Sequence, residues 1–181
     1  MHGLSGSGKT WVSSRLAADL AAVRVRSDIE RKRLCGLDEL AVTDSPPGAG
    51  IYDAKASKAT YSRLLEIADA LLAAGHRVIL DATFLRSDDR SNARAVAEAR
   101  GLPVVVVAVE AADDWLDASV RRREVHGADA SEGDVGVLEH QRRLVEPVSE
   151  ASEGPVIRFR NGPGADTATL SKAVDSLLKP A

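Results

Sequence analysis

The sequence is poor in several features that would mark particular classes of protein. It has a single cysteine, Cys35, which excludes an internal disulfide and a cysteine-rich zinc site and is typical of a reducing cytoplasm. Aromatic residues make up only 3%, so we expect a core of Ala, Val and Leu. No apolar run reaches the roughly 18 residues of a membrane span, and a glycine-rich loop stands where a signal peptide would begin. We therefore expect a soluble, cytoplasmic protein with no membrane partner.

Charge of one sign is not in large excess either. The formal net charge of -3 argues against a broad basic face for duplex DNA or RNA, although a local basic groove is compatible with it. The chain has 181 residues, of which 44% are hydrophobic and 28% charged, as in an ordinary globular protein. This length predicts one domain, spanning residues 1–181.

Two kinds of apolar pattern alternate along the chain. Short apolar runs predict strands at residues 23–26, 77–81, 103–109 and 155–160. Helical spacing marks residues 9–20, 29–34, 54–74, 87–100, 112–125, a segment ending near 145, and 166–179. Strands that alternate with helices predict right-handed βαβ units and a mostly parallel sheet. The predicted fold class is therefore α/β.

The segment GLSGSGKT, at residues 3–10, matches the pattern G-x-x-x-x-G-K-[ST] at every position. Its glycines allow the backbone N–H groups to face phosphate oxygens, and the following helix adds its positive N-terminal end. The Lys9 ammonium reaches the β- and γ-phosphates, and the Thr10 hydroxyl binds Mg²⁺. We expect ATP and Mg²⁺ here, in a P-loop NTPase three-layer sandwich. The expected nucleotide contacts are Gly3, Ser5, Gly6, Ser7, Gly8, Lys9 and Thr10.

The phosphate loop lacks the strand that should lead into it. Only Met1 and His2 precede Gly3, whereas a buried strand of about five residues is expected there. Without that strand, a central position of the sheet would be empty and backbone groups of both neighbours would be unpaired. The sequence therefore predicts that residues are missing upstream, and that the sheet has either a gap or a strand supplied by another segment.

Two carboxylates follow predicted strands and should face the phosphate loop. The carboxyl ends of parallel strands open on one crevice, which brings Asp28 and Asp81 together. Asp81 ends the strand VILD, at residues 78–81, and is expected to hold Mg²⁺ with Thr10. Asp28 is either the general base that accepts the proton of the attacking hydroxyl or only the N-cap of the next helix. Arg31, one turn on, either binds an anionic or polyhydroxyl acceptor or is a solvated helix charge.

These motifs resemble those of the P-loop kinases that include polynucleotide kinase, zeta toxin, gluconate kinase and chloramphenicol phosphotransferase. The matching segments are SGSGKT, S-D-x-x-R at residues 27–31 and DATF at residues 81–84. The chain is most similar to predicted ATP-dependent kinases of the AAA_33-like group, often fused behind an aminoglycoside-phosphotransferase-like domain. These share RVRSD at residues 24–28, the run at 61–83 and DASE at 129–132. The resemblance implies a base at Asp28, an acceptor-binding arginine at Arg31 and a place in a longer fused polypeptide.

The resemblance also implies a helical lid, at about residues 112–147, whose arginines close on the transferring phosphate. Arg121, Arg122 and Arg123 end a predicted helix, where the helix dipole alone would also favour cations. We expect Arg122 to act with Lys9 in catalysis and Arg123 to contact the nucleotide. Arg142 and Arg143 are second candidates for the lid. Arg86 and Arg90 are candidates for the acceptor pocket. Residues 161–164 either contact adenine or form an ordinary turn. Trp11 is expected to be packing, with contact to adenine as the alternative. The four histidines are expected to lie in surface or loop positions.

The sequence therefore predicts a phosphotransferase that moves the γ-phosphate of ATP to a hydroxyl. A small molecule is favoured as the acceptor over the 5′-hydroxyl of a polynucleotide, because the charge is acidic and stacking aromatics are few. The alternative from another class is an ATP-binding regulatory module, or slow ATPase, that needs no acceptor pocket.

Overall fold

A computed structural model describes residues 1–43, 45–46, 48–126 and 134–179 of the chain. The helices are α1 (Lys9–Asp19), α2 (Ser27–Leu34), α3 (Ala54–Ala73), α4 (Ser87–Glu98), α5 (Asp113–His126), α6 (Val135–Leu144), α7 (Glu150–Glu153) and α8 (Thr167–Leu177), with a 3₁₀ turn at Gly50–Tyr52. The strands are β1 (Ala22–Arg26), β2 (Arg77–Asp81), β3 (Val106–Glu110) and β4 (Val156–Arg160). The α/β class and the alternation of strands and helices are as predicted. None of the helices in this described part has the length and apolar character of a membrane span.

Two elements differ from the sequence prediction. Strand β3 begins at Val106 rather than at residue 103, because its pairing with β4 begins where Val106 meets Val156. Helix α7 has only four residues, which is too short for a helical period to show in the sequence.

Three helices begin at an aspartate whose side chain accepts a backbone N–H of the first turn. Asp53 accepts from Ala56 at 2.6 Å before α3, and Asp166 accepts from Ala168 and Thr169 before α8. Asp134 accepts from Val137 at 2.7 Å before α6. Because an Asp cap satisfies N–H groups that otherwise have no partner in the helix, these caps fix where the helices start.

The strands form two parallel pairs. β1 pairs with β2 from Ala22 opposite Arg77 to Arg26 opposite Asp81. β3 pairs with β4 from Val106 opposite Val156 to Glu110 opposite Arg160. All four strands therefore end on the same edge of the sheet.

Residues 1–3 join the two pairs. The Met1 amino group donates to the Leu80 carbonyl of β2 at 2.9 Å. On the other side, His2 donates to the Val107 carbonyl of β3 and accepts from the Val109 N–H, both at 2.8 Å. Residues 1–3 thus take the central position between β2 and β3, but only at the carboxyl ends of these strands.

Below Met1 the central position is open, as predicted. No described segment is hydrogen-bonded between the amino-terminal halves of β2 and β3, and a cavity of about 370 Å³ lies there. Its lining is largely apolar and includes Leu16, Leu20, Val105 and Val107. Burial of the Met1 amino group lowers its pKa to about 6, since a desolvated cation is disfavoured.

Helices cover both faces of the sheet. Along β2, Ile79 packs into the cluster that α1 and α8 form with β3 and β4, whereas Val78 and Leu80 pack into the cluster of α3 and Phe84. Because successive residues of a strand point to opposite faces, these two clusters lie on opposite sides of the sheet. The predicted three-layer sandwich is therefore confirmed. The core side chains are mostly Val, Leu and Ala.

Candidate active site

The phosphate loop lies between residues 1–2 and helix α1. Gly6 and Gly8 have positive φ angles of 82° and 87°, a backbone conformation that other residues rarely adopt. A Cβ on Gly6 would lie 2.6 Å from the Leu116 carbonyl oxygen, and one on Gly8 would overlap the Asn161 side-chain amide. The loop therefore requires glycine at both positions, for conformation and for space.

The loop is held by side chains from three directions. Lys9 donates to the Leu4 carbonyl at 2.7 Å, and the Ser5 N–H donates to Oε1 of Gln141 on α6 at 2.7 Å. The peptide group that joins residues 4 and 5 is thus held on both sides. Asn161, in the turn at residues 161–164, donates to the Ser7 carbonyl at 2.9 Å, which places this turn against the loop.

A cleft of about 500 Å³ opens above the loop and joins most of the predicted site residues. The predicted residues that line it are Ser5, Gly6, Gly8, Lys9, Thr10, Asp28, Arg31 and Asp81. Gly3 and Ser7 are buried in the wall of the loop and do not line the cleft. Both carboxylates thus face the phosphate loop across one cavity, as expected from their positions at strand ends.

Asp28 is a cleft residue and not a helix cap. Helix α2 begins at Ser27, so that Arg26 takes the N-cap position and Asp28 lies in the first turn. The interpretation of Asp28 as an N-cap is therefore wrong. Burial raises the pKa of Asp28, and the neighbouring Asp81 adds to this effect, while Arg26 opposes it. A carboxylate whose pKa lies above its ordinary value is a stronger base when it is ionised.

Arg31 is buried, with 7% of its surface exposed, so it is not a solvated helix charge. Its Nη1 donates to the Ile51 carbonyl at 2.8 Å and to Ser57 Oγ at 3.2 Å. The guanidinium also lies 5.0 Å from the centre of the Tyr52 ring. Arg31 therefore fixes the turn at residues 50–52 against α2 on one side of the cleft.

Asp81 and Thr10 carry the two oxygen donors that were expected to hold magnesium, and both line the cleft. Asp81 Oδ2 accepts from Ser13 Oγ at 2.8 Å, and Arg24 Nη1 lies 3.9 Å from the same oxygen. The described residues contain no group of three or more His, Cys, Asp or Glu side chains that could hold a metal alone. One carboxylate and one hydroxyl beside a phosphate loop fit Mg²⁺, which is usually bound by few protein oxygens together with phosphate oxygens and water.

Among the arginines of the predicted lid whose side chains the structure describes, none lines the cleft. Helices α5 and α6 pack through Leu116, Val120 and Leu138, and Arg142 pairs with Asp113 at 2.9 Å and with Asp117 at 3.2 Å, both on α5. The exposed Arg121, Arg122 and Arg143 are not among the residues that line the cleft. The side chain of Arg123 and residues 129–132 lie outside the described residues. Instead, α6 lines the cleft with Val137 and Gln141.

Four further expectations are wrong. Trp11 is 43% exposed and lines the cleft, so it is not core packing. Arg90 is buried, donates to Glu153 Oε2 at 2.8 Å and to the Phe84 carbonyl at 2.8 Å, and lines the apolar cavity rather than the cleft. His2 is also buried, and burial lowers its pKa. Arg86 is exposed and does not line the cleft.

Several cleft residues were missed from the sequence. No role was predicted for Ser14, Val137 and Gln141. The segments that carry the resemblance include five more, without a role assigned to them: Arg24, Ser27, Tyr61, Ala82 and Thr83. Tyr61, whose pKa is raised by burial, lies 3.2 Å from Thr83 Oγ1 and accepts the Phe84 N–H at 3.2 Å, which fixes the chain after β2. The spacing of α1 and α6 held a partial signal, because Thr10 and Ser14, like Val137 and Gln141, are four residues apart on one helix face.

Solved structures of low sequence identity share this architecture. Kti12 of Chaetomium thermophilum, in complex with ADP-AlF3, is 15% identical, and the alignment covers 99% of this chain and 97% of that one with a TM-score of 0.76. The APS kinase CysC of Mycobacterium tuberculosis, with AMPPNP and APS, is 20% identical over 99% and 95%, with a TM-score of 0.66. A gluconokinase from Sinorhizobium meliloti 1021 is 18% identical over 98% and 88%, with a TM-score of 0.59. At these identities the likeness shows the fold.

Sequence comparison gives the family. No curated protein sequence matches the chain at a significant level. The model of the family AAA_33, described as an AAA domain, matches residues 1–148, which is most of the chain and includes the phosphate loop and both carboxylates. The resemblance to P-loop kinases of the gluconate kinase-like group is thus confirmed. The chain therefore belongs to the AAA_33 family.

Proposed function

We propose that the protein is an ATP-dependent phosphotransferase that moves the γ-phosphate of ATP to a hydroxyl group of a small molecule. The observation that carries the proposal is the cleft of about 500 Å³, in which the phosphate loop, Asp28, Arg31 and Asp81 face one space. A pure nucleotide-binding module needs the loop and Asp81. It does not need a buried carboxylate of raised pKa beside a buried arginine.

The loop and Lys9 would hold the triphosphate. The Lys9 ammonium, now on the Leu4 carbonyl, has three donors and can turn to the β- and γ-phosphate oxygens. Thr10 and Asp81 would hold Mg²⁺, which neutralises the charge that develops on the phosphates. Such positioning and charge neutralisation account for most of the catalysis in phosphoryl transfer.

Asp28 would accept the proton of the attacking hydroxyl. As that O–H bond breaks, the acceptor oxygen forms a bond to the γ-phosphorus, and the bond from phosphorus to the bridging oxygen breaks to release ADP. Arg31 would bind an oxygen of the acceptor on the Asp28 side of the cleft. Arg122 and Arg123 would complete the lid over the phosphates when it closes, as the resemblance implies.

A small acceptor is favoured by the size and chemistry of the cleft. A volume of about 500 Å³, shared with a triphosphate, leaves room for a metabolite rather than for several nucleotides. Sugar, gluconate and APS kinases among the proteins of similar fold are small-molecule kinases by their names. A polynucleotide acceptor would also require a tract of stacking aromatics, and the sequence has few aromatics of any kind.

The test is a screen for phosphorylated products. The protein is incubated with a metabolite pool and γ-labelled ATP, and new labelled compounds are identified by mass spectrometry. We expect a labelled small molecule with the wild type and with Asp88→Asn, a matched control on an exposed aspartate. We expect none with Asp28→Asn, which should still bind ATP. If ATP turnover is unchanged in Asp28→Asn and no hydroxyl compound stimulates it, the chain is a slow ATPase module instead.

A further inference from the structure

Asp81 lies at the end of a short chain of polar contacts that starts on β1. Ser13, on α1, is fully buried and donates to Asp81 Oδ2 at 2.8 Å. Arg24, on β1, donates through Nη1 to the Thr10 carbonyl at 2.8 Å and to Ser13 Oγ at 3.3 Å. None of these contacts involves the phosphate loop backbone from residue 3 to residue 9.

The contacts of Arg24 decide where the Ser13 proton goes. The Ser13 hydroxyl has one proton and two acceptors in reach, the Thr10 carbonyl at 3.1 Å and Asp81 Oδ2 at 2.8 Å. Arg24 already donates to the Thr10 carbonyl and to the Ser13 oxygen. The charged carboxylate is also the stronger acceptor, so the proton is directed to Asp81.

This arrangement fixes one oxygen of Asp81 and leaves the other available. No hydrogen bond among the described residues falls on Oδ1, and Asp81 lines the cleft together with Thr10. Because Oδ2 is held by Ser13, the carboxylate has a fixed orientation, and Oδ1 is the oxygen that can bind a cation. Arg24 Nη1 lies 3.9 Å from the same Oδ2, so both contacts fall on one oxygen of the carboxylate.

We propose that Ser13 and Arg24 are positioning residues for Asp81, acting in series so that Arg24 orients Ser13 and Ser13 orients the carboxylate toward a divalent cation bound with the nucleotide. The inference rests on the proposed function only for the identity of that cation as Mg²⁺. Residues that orient a metal ligand without touching the metal typically change metal affinity by 10- to 100-fold when they are removed.

The test measures binding, not turnover. ADP is titrated into the full chain by calorimetry with and without Mg²⁺, and the ratio of the two affinities is the magnesium gain. We expect Ser13→Ala and Arg24→Gln each to reduce this gain by about tenfold, with the metal-free affinity for ADP within about twofold of the wild type. The matched controls are Ser62→Ala, an exposed serine on α3, and Arg15→Gln, an exposed arginine on α1.

Two double variants distinguish a positioning role of Ser13 and Arg24 from a general loss of folding. If Ser13 and Arg24 act in series, Ser13→Ala with Arg24→Gln reduces the gain no further than either change alone. In an Asp81→Asn background, Ser13→Ala should have no effect on the gain. Additive losses, or an unchanged gain in both single variants, would overturn the proposal, as would a wild type without any magnesium gain. Because no acceptor is present, a failure of the phosphotransferase proposal would leave these results intact.

Discussion

The two ends of the sheet are built very differently. At the carboxyl ends of the strands, the polar cleft is held by short contacts, such as Ser13 to Asp81 at 2.8 Å and Lys9 to the Leu4 carbonyl at 2.7 Å. At the amino-terminal halves of β2 and β3, an apolar cavity of about 370 Å³ separates two strand pairs. The polar contacts of the site therefore lie at one end of the sheet, and the apolar cavity lies at the other.

The difference separates a region held by hydrogen bonds from a region with few packing contacts. Residues 1–3 supply hydrogen bonds to both strand pairs at the level of the phosphate loop. These bonds hold the loop against both pairs, while the cavity below them lacks packing contacts and hydrogen bonds of the kind that stabilise a sheet. We therefore expect changes at the cleft to affect chemistry, and changes at the cavity to affect stability.

The largest expected effect is that of Asp28→Asn on the cleft. Loss of a general base should reduce kcat/KM for acceptor phosphorylation by about 10²- to 10⁴-fold. The melting temperature near pH 7 should rise, because the pKa of Asp28 is higher in the folded than in the unfolded chain. Between the unfolded and the folded pKa of Asp28, the folded chain binds more protons than the unfolded chain. The free energy of unfolding therefore falls as pH rises through this range. Asn carries no charge at this position, so the variant does not lose that stability. A lower melting temperature with unchanged kcat/KM would contradict both points.

The next largest effect is expected at Arg90, which lies between the cleft and the apolar cavity. Arg90 lines the cavity, pairs with the buried Glu153 and holds the Phe84 carbonyl, next to the cleft residue Thr83. Arg90→Gln should lower the free energy of unfolding by about 3–5 kcal/mol, because it leaves the buried Glu153 without its charged partner. Arg100→Gln, which breaks the exposed pair with Asp69, should cost no more than about 1 kcal/mol in the same urea titration. Equal losses of unfolding free energy in the two variants would mean that the pair of Arg90 and Glu153 does not stabilise the contact between the cavity and the cleft.

Filling the cavity should stabilise the fold without changing the chemistry. Four β-branched residues added before Met1 could extend the central strand between β2 and β3 and replace its buried amino group with an amide. After the entropy of ordering four residues is subtracted, we expect a gain of about 2 kcal/mol in the free energy of unfolding. A glycine and serine extension of equal length is the control. The same stability for both extensions would show that the cavity does not accept a strand.

The smallest expected effect is a loss of kcat/KM on the acid side of its pH profile. Asp28 accepts a proton only when it is ionised, so kcat/KM should fall about tenfold for each pH unit below its pKa in the free enzyme. Because burial raises that pKa, the fall should begin above pH 3.8, the ordinary value for aspartate. A rate that stays constant down to pH 4 would contradict a role for Asp28 as base.

The sequence was sufficient for features that depend on local chemistry. The phosphate loop, Asp28 and Asp81 could be placed because strand ends and glycine spacing determine where they lie. The gap could be predicted from the two residues before Gly3, since no local pattern could replace a strand there. Helix and strand positions followed from periodicity, apart from the ends of elements and helix α7, whose four residues are too few to show a helical period.

Side chains whose direction depends on distant partners could not be placed in this way. Arg90 is directed inward by Glu153, which lies 63 residues away in sequence. Arg142 is directed to α5 by Asp113 and Asp117, so the lid presents Gln141 to the loop instead. Such choices among neighbouring arginines depend on tertiary packing, and no spacing rule distinguishes one from the next.

The most direct test of the account is calorimetry of Mg·ATP binding to the full chain and to Lys9→Ala and Asp81→Asn. We expect a saturable heat with one site per chain for the wild type, and a much weaker association for both variants, because phosphate charge and metal are held by these two side chains. An absence of binding heat in the wild type, or equal affinity in all three proteins, would contradict the claim that a triphosphate rests between the phosphate loop and the two carboxylates.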